Sequence, residues 1–151
     1  MHHEIAQQSV TIDAPIAHVF SMTVNLEHFA AWFPGVVEVR ALDDGPVDQP
    51  GKRYMELLRR PGGQPMQVVI QLVEAERPRQ FCTEGDWPAV LPRMEMRFAP
   101  VDASRTQVHW RMCSRRRGLG IRLWLPLLRC VMRRRSRQAM RRLKALVEDA
   151  V

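Results

Sequence analysis

The chain has 151 residues, with 46% apolar and 26% charged side chains, a composition that fits one domain with a buried core and excludes a disordered polypeptide. Its net charge of +7 is uneven: residues 1–102 carry 9 basic and 14 acidic side chains, whereas residues 103–151 carry 14 and 2. The most apolar run, Leu119–Met132, is 14 residues long and broken by Arg122, Pro126 and Arg129, so it is too short for a membrane-spanning helix of roughly 20 residues.

In chain order, Gln8–Asp13 alternates and predicts a first strand. Asp13-Ala-Pro-Ile predicts a helix start, with Asp13 as N-cap and Pro15 near the first turn. A short helix follows over Pro15–Thr23, and a second over Leu26–Trp32 with Asn25 as its cap; Pro34-Gly35 ends it. The period then changes to two. Val37, Val39 and Ala41 share one face, and after the Asp43–Gly51 loop Met55 and Leu57 share the inner face of Arg53–Arg60. The Pro61-Gly62-Gly63 turn leads into Met66–Glu76, whose inner face is Met66, Val68, Ile70 and Leu72. Arg79–Asp86 is a further short strand. Met94, Met96 and Phe98 alternate with Arg93, Glu95 and Arg97, and after the Asp102-Ala-Ser turn Thr106, Val108, Trp110 and Met112 alternate with polar residues, as in half-buried antiparallel strands. From about Leu127 to Ala150 the period is helical: Leu128, Met132, Ala139, Leu143 and Val147 form one stripe, and Arg129, Arg133, Arg137 and Arg141 another.

Three cysteines (Cys82, Cys113, Cys130) are an odd number without metal-type spacing, which suits inert thiols in a reducing compartment. The N-terminal MHHEIAQQ has no apolar signal region, so a cytoplasmic location is expected. No residues have metal-ligand spacing and there is no Gly-rich phosphate loop, so neither metal nor cofactor is expected. His18, His28 and His109 pair with no nucleophile by spacing. Glu84, Asp86 and Glu95 are the carboxylates that would approach an interior if strand parity were reversed; a solvated sheet face is their expected place. No convergent polar set suited to catalysis is legible.

This order of elements, together with VTIDAPIAHVFSMTVNLEHFAAWFPGVVEV (10–39), the Gly51-Lys52-Arg53 strand start, VEAERPRQF (73–81), FAPVDASRTQVHWRM (98–112) and a C-terminal helix ending LKALVED (143–149), resembles the START-like SRPBCC superfamily, and within it the polyketide cyclase/dehydrase and lipid-transport proteins. Ser104-Arg105-Thr106 stands where that family usually has Gly-Thr. The resemblance implies an α+β helix-grip fold over the single domain 1–151: a curved antiparallel sheet of about seven strands around a long C-terminal helix, with two short helices after the first strand. It also implies an apolar cavity between sheet and helix that takes a hydrophobic small molecule such as a lipid, quinone or polyketide. The alternative is an aromatase/cyclase or dehydratase-type enzyme acting in that cavity; fold alone does not choose between them.

The expected cavity residues are Met55, Leu57, Val68, Ile70, Met94, Met96, Phe98, Trp110 and Met112 from the strands, and Leu128 and Met132 from the helix. Trp32, Phe33 and Trp124 are expected at its mouth, where Trp124 either gates the cavity or staples the helix to the sheet. The Arg-rich helix admits three readings. It is a solvated outer face; or, through Arg122, Trp124, Arg129 and Arg133, it touches an anionic membrane, which would place the protein at the inner membrane surface; or it binds nucleic acid or a ribosome. The last is disfavoured, because no nucleic-acid motif accompanies the basic stripe and no aromatics interleave with it. Oligomeric state is not legible.

Overall fold

A computed structural model describes residues 2–60 and 62–150. Seven antiparallel strands form one sheet: β1 (His3–Ile12), β2 (Val36–Ala41), β3 (Arg53–Leu58), β4 (Met66–Glu76), β5 (Gln80–Gly85), β6 (Pro92–Asp102) and β7 (Arg105–Ser114). Their spatial order is β1-β7-β6-β5-β4-β3-β2, so after β1 each strand pairs with its neighbour in sequence, a meander that short connections allow. Helix α1 (Ile16–Val24), a 3₁₀ turn (Leu26–His28) and helix α2 (Phe29–Trp32) follow β1, and helix α3 (Leu119–Asp149) closes the chain. This is the helix-grip architecture.

α3 packs along β1 and against α1 and α2. It buries Ile121, Leu125, Leu128, Met132, Ala139, Leu143 and Val147, a stripe with helical spacing that faces the sheet. Opposite it, Met94, Met96 and Phe98 of β6 stand directly across from Met112, Trp110 and Val108 of β7, as expected. Phe20 of α1 fills the other end of the core, edge-on to Phe98 at 5.5 Å and to Phe81 at 6.0 Å between ring centroids.

Several expectations about local structure are corrected. β1 begins at His3 rather than Gln8, because a bulge between Glu4 and Ala6 breaks the alternation while β7 continues to pair with it. Asp13 does not cap α1, whose N-cap position is Pro15; instead the Asp13 N–H donates to the Glu148 carboxylate at 2.7 Å and ties the start of α1 to the end of α3. Asn25 does cap, accepting from the Glu27 N–H at 3.2 Å. A bulge between Val36 and Glu38 turns Val37 out to 43% exposure and leaves Val36 and Val39 buried. The turn predicted at Pro61-Gly62-Gly63 lies partly outside the described residues, since Pro61 is not among them.

Two corrections matter for function. Met55 and Leu57 are on the outer face of β3. Residues directly opposite across a ladder share a face, and Tyr54 and Glu56 stand across from the inward Ile70 and Val68. The last helix starts at Leu119, not near Leu127, and runs through Pro126. Its first turns leave Leu119, Leu123 and Leu127 at 75%, 84% and 66% exposure.

Phe20→Ala should cost about 3–5 kcal/mol, because it removes a fully buried ring between two others. Leu123→Ala should stay within about 0.5 kcal/mol, as an exposed position does. Urea unfolding of the two variants measures both, and equal losses would contradict this account of the core.

Candidate functional site

α2 and α3 lie side by side over the sheet, and the seam between them is not filled. An outer chamber of about 100 Å³ is lined by Phe29, Phe33 and Pro34 from the α2 segment, Leu58 from β3, Trp87 and Val90 from the β5–β6 loop, and Leu128, Met132 and Arg135 from α3. An inner chamber of about 40 Å³ is lined by Leu26, Ile70, Thr83 and Met94. Phe29, Glu56, Pro92 and Met112 belong to both walls. Each volume is below the roughly 300–1,000 Å³ usual for drug-sized ligands, and only the two together approach the roughly 150 Å³ of an apolar cavity that takes benzene.

The polar feature of this wall is Glu56. It is 7% exposed, and β3 holds it between Val39 of β2 and Val68 of β4. Burial alone pushes its carboxyl up to about 7, with no hydrogen bond or neighbouring charge contributing. Desolvation disfavours the charged form, which gives this direction for an acid. Thr83 adds a hydroxyl to the inner chamber. Arg135 stands at the outer mouth and lies against Gly35, where an added methyl would come within 2.8 Å of Arg135 Nη1. Gly35 also has φ +91°, a backbone conformation that strains any side chain there, whereas the flexible end of Arg135 could move aside.

The expected cavity residues divide into three groups. Phe33, Met112, Leu128 and Met132 line the outer chamber, and Ile70 and Met94 the inner one, with Met112 common to both. Val68, Met96, Phe98, Trp110 and Trp32 are buried in the core beside the chambers; the Trp110 ring lies 5.6 Å from that of Phe33 and backs the wall. Met55 and Leu57 lie instead in an open groove on the outer sheet face with Glu38, Arg40 and Gln67. Trp124 packs edge-on against Trp87 at 6.1 Å and so braces a chamber wall from behind.

Sequence reasoning missed Glu56. Its one signal is a charged residue in phase with the apolar Tyr54 and Leu58. Glu84, Asp86 and Glu95 are outside the chambers: Glu84 pairs with Arg93 at 2.7 Å, Asp86 accepts from the Val69 N–H at 2.8 Å, and Glu95 pairs with Arg111 at 2.9 Å. His28 bonds the Met22 carbonyl and His109 the Ser9 hydroxyl. Among the described residues no group of three or more His, Cys, Asp and Glu could hold a metal ion.

A sheet gripping one long helix over a small apolar chamber defines a START-like fold. The chain belongs to the family described as polyketide cyclase / dehydrase and lipid transport, which it matches over residues 3–148. Among solved structures it is similar to the Zhui aromatase/cyclase from Streptomyces sp. R1128, at 19% identity and a TM-score of 0.78 over 98% of this chain and 94% of that one. A START superfamily protein from Mycobacterium smegmatis is similar at 12% identity and a TM-score of 0.77, over 98% and 99%. The di-domain aromatase/cyclase StfQ of the steffimycin biosynthetic pathway aligns at 10% identity and a TM-score of 0.76, over 98% of this chain and 52% of that chain. At these identities the likeness is one of fold. No curated protein matches the chain.

An acid whose folded-state pKa is raised holds its proton more tightly folded than unfolded. Its stabilising contribution is therefore full below the ordinary value of 4.5 and is lost as pH rises through about 7. Between pH 4.5 and 8 the wild type should lose about 3 kcal/mol relative to Glu56→Gln, which cannot ionise. Urea unfolding across that range measures the difference, and parallel profiles would show that Glu56 is solvated.

Proposed function

We propose that this protein binds or carries a hydrophobic small molecule, of lipid, quinone or polyketide-like character, in the chamber between the sheet and α3. The observation that carries the reading is the unfilled apolar seam between α2 and α3, walled by Phe29, Phe33, Met112, Leu128 and Met132. Protein cores are close-packed, so space retained at this junction argues for an occupant. The family to which the chain belongs includes both lipid-transport proteins and cyclases.

The reading extends to an anionic membrane at the cytoplasmic face as the place of loading. Leu119, Leu123, Leu127 and Val131 are exposed at four-residue intervals along one line of α3, and Arg122, Arg129, Arg133 and Arg134 are exposed beside them. Such a helix lies in an interface with leucines down and arginines toward head groups, where each basic residue contributes about 1 kcal/mol. A second copy of the chain fits the stripe less well, because it would bring together two strongly cationic faces. The same helix turns Leu128 and Met132 into the chamber, so it would form the partition between bilayer and cargo. Trp124, half-buried against Trp87, has a bracing part, and the leucines take the role of insertion.

The aromatase/cyclase or dehydratase alternative draws on Glu56, since a carboxyl near neutral pKa suits general acid–base chemistry. It takes second place because steering a reaction needs several converging polar groups, and the chambers offer one carboxyl, one hydroxyl and one arginine.

Native mass spectrometry of protein purified from its own host should reveal a co-purified apolar ligand, and Leu128→Phe, which fills the outer chamber, should release it. Ligand-free protein in both cases would count against the carrier reading. In vesicle flotation, phosphatidylglycerol liposomes should bind the protein at least tenfold better than phosphatidylcholine ones. The Leu123→Glu/Leu127→Glu variant should lose most of that binding. Equal binding to both lipids, or none to either, would remove the membrane from the proposal.

A further inference from the structure

We infer that Glu56 is a recognition group, and that the chamber takes an apolar ligand bearing a ketone-type carbonyl whose oxygen accepts a hydrogen bond from the Glu56 carboxyl proton. This deepens the hydrophobic-ligand reading and rests on it. The geometry carries it. Glu56 sits on the wall common to both chambers, is more than nine-tenths buried, and has no hydrogen-bonding or charged partner among the described residues. A buried polar group without a partner is costly, and native structures satisfy nearly all of them. An arrangement that leaves a carboxyl facing empty apolar space is completed by a ligand that supplies the missing partner.

The elements around Glu56 present apolar or neutral side chains, with Arg135 the exception. β2 and β4 present Val39 and Val68 as its direct neighbours. β4, β5, β6 and β7 contribute Ile70, Thr83, Met94 and Met112, and the 3₁₀ turn and α2 contribute Leu26 and Phe29. α3 contributes Leu128, Met132 and Arg135. The one other charged side chain lining the chambers is Arg135, and its guanidinium lies against Gly35 at the mouth. Nothing in this ring stabilises a carboxylate, so the group stands neutral in the resting protein below its raised pKa. A neutral carboxyl has one O–H to donate, and a carbonyl accepts without donating. A ligand hydroxyl would instead prefer the carboxylate, and its binding would strengthen with rising pH. The two ligand chemistries therefore give opposite pH dependence.

Acetophenone and α-methylstyrene have the same shape and differ in C=O against C=CH₂, and each is a single substituted ring. Titration followed by the methyl resonances of Met94, Met112 and Met132 reads their affinities. At pH 5.5 the wild type should prefer the ketone by about tenfold, and by pH 9 the preference should vanish, which is the loss of one hydrogen bond as the proton leaves. Glu56→Gln, whose amide still donates, should keep the preference at both pH values, and Glu56→Leu should bind both probes alike. Equal affinity of the wild type for the two probes at pH 5.5, or a ketone preference that grows with pH, overturns the role of Glu56 and leaves the apolar chamber standing. Absence of methyl shifts with either probe overturns the hydrophobic-ligand reading itself, and this inference with it.

Discussion

The structure depends on one helix covering one face of a seven-stranded sheet. α3 has a single apolar stripe, from Ile121 to Val147, and a stripe about one side chain wide cannot cover a sheet this broad. It packs along β1, and the 3₁₀ turn and α2 cover the other side through Leu26, Phe29 and Trp32. Both covers end at the same line, and the chambers lie along it. The cavity is thus a consequence of the architecture: at the α2–α3 seam Phe29 and Phe33 approach from one side and Leu128 and Met132 from the other without closing the gap.

Charge is arranged around this plan. On the outer sheet face Arg111 bridges Glu4 and Glu95 at 2.8 and 2.9 Å, and Arg93 pairs with Glu84 and Glu74 at 2.7 and 3.7 Å. The acidic first two-thirds of the chain is therefore balanced in part by arginines of its own sheet, in pairs that are individually worth little where solvated. Cys82 and Cys113 are buried within this network. Burial pushes the Cys82 thiol up to about 12 and the Cys113 thiol in the same direction, so both are poor nucleophiles. Much of the remaining positive charge is on α3, where Arg122, Arg133, Arg134, Arg137, Arg141 and Arg142 are exposed.

The fold was legible because its strongest signals are local and periodic. β6 and β7 alternate cleanly for about ten residues, and the Pro34-Gly35 stop and the Asn25 cap act through backbone chemistry that needs no tertiary partner. The site was legible only where the same rule held, as for Ile70, Met94 and Met112. It failed at β3, where apolar residues occupy both faces (Tyr54 and Leu58 on one, Met55 and Leu57 on the other) and the register with β4 decides. A buried carboxyl such as Glu56 is the kind of local inconsistency that marks a functional position. Pro126 misled in the same way. It reads as a helix stop, yet tertiary packing of Ile121 and Leu125 carries the helix through it, and an exposed leucine stripe took the place of an irregular connector.

Pro126 has a consequence for how chamber and surface relate. It gives no N–H to the Arg122 carbonyl, so one rung of the α3 ladder is missing in the turns between the exposed Leu123 and the chamber-lining Leu128. N-terminal to that point the helix is held by two buried side chains, Ile121 and Leu125, while after it Leu128, Met132, Ser136, Ala139, Met140, Leu143 and Val147 are all buried. The segment least tied to the core is therefore the one that carries Leu119 and Leu123. It also carries Trp124, which braces Trp87 of the outer chamber. The Trp87–Trp124 pair therefore lies beside the place where bending α3 breaks the fewest backbone hydrogen bonds.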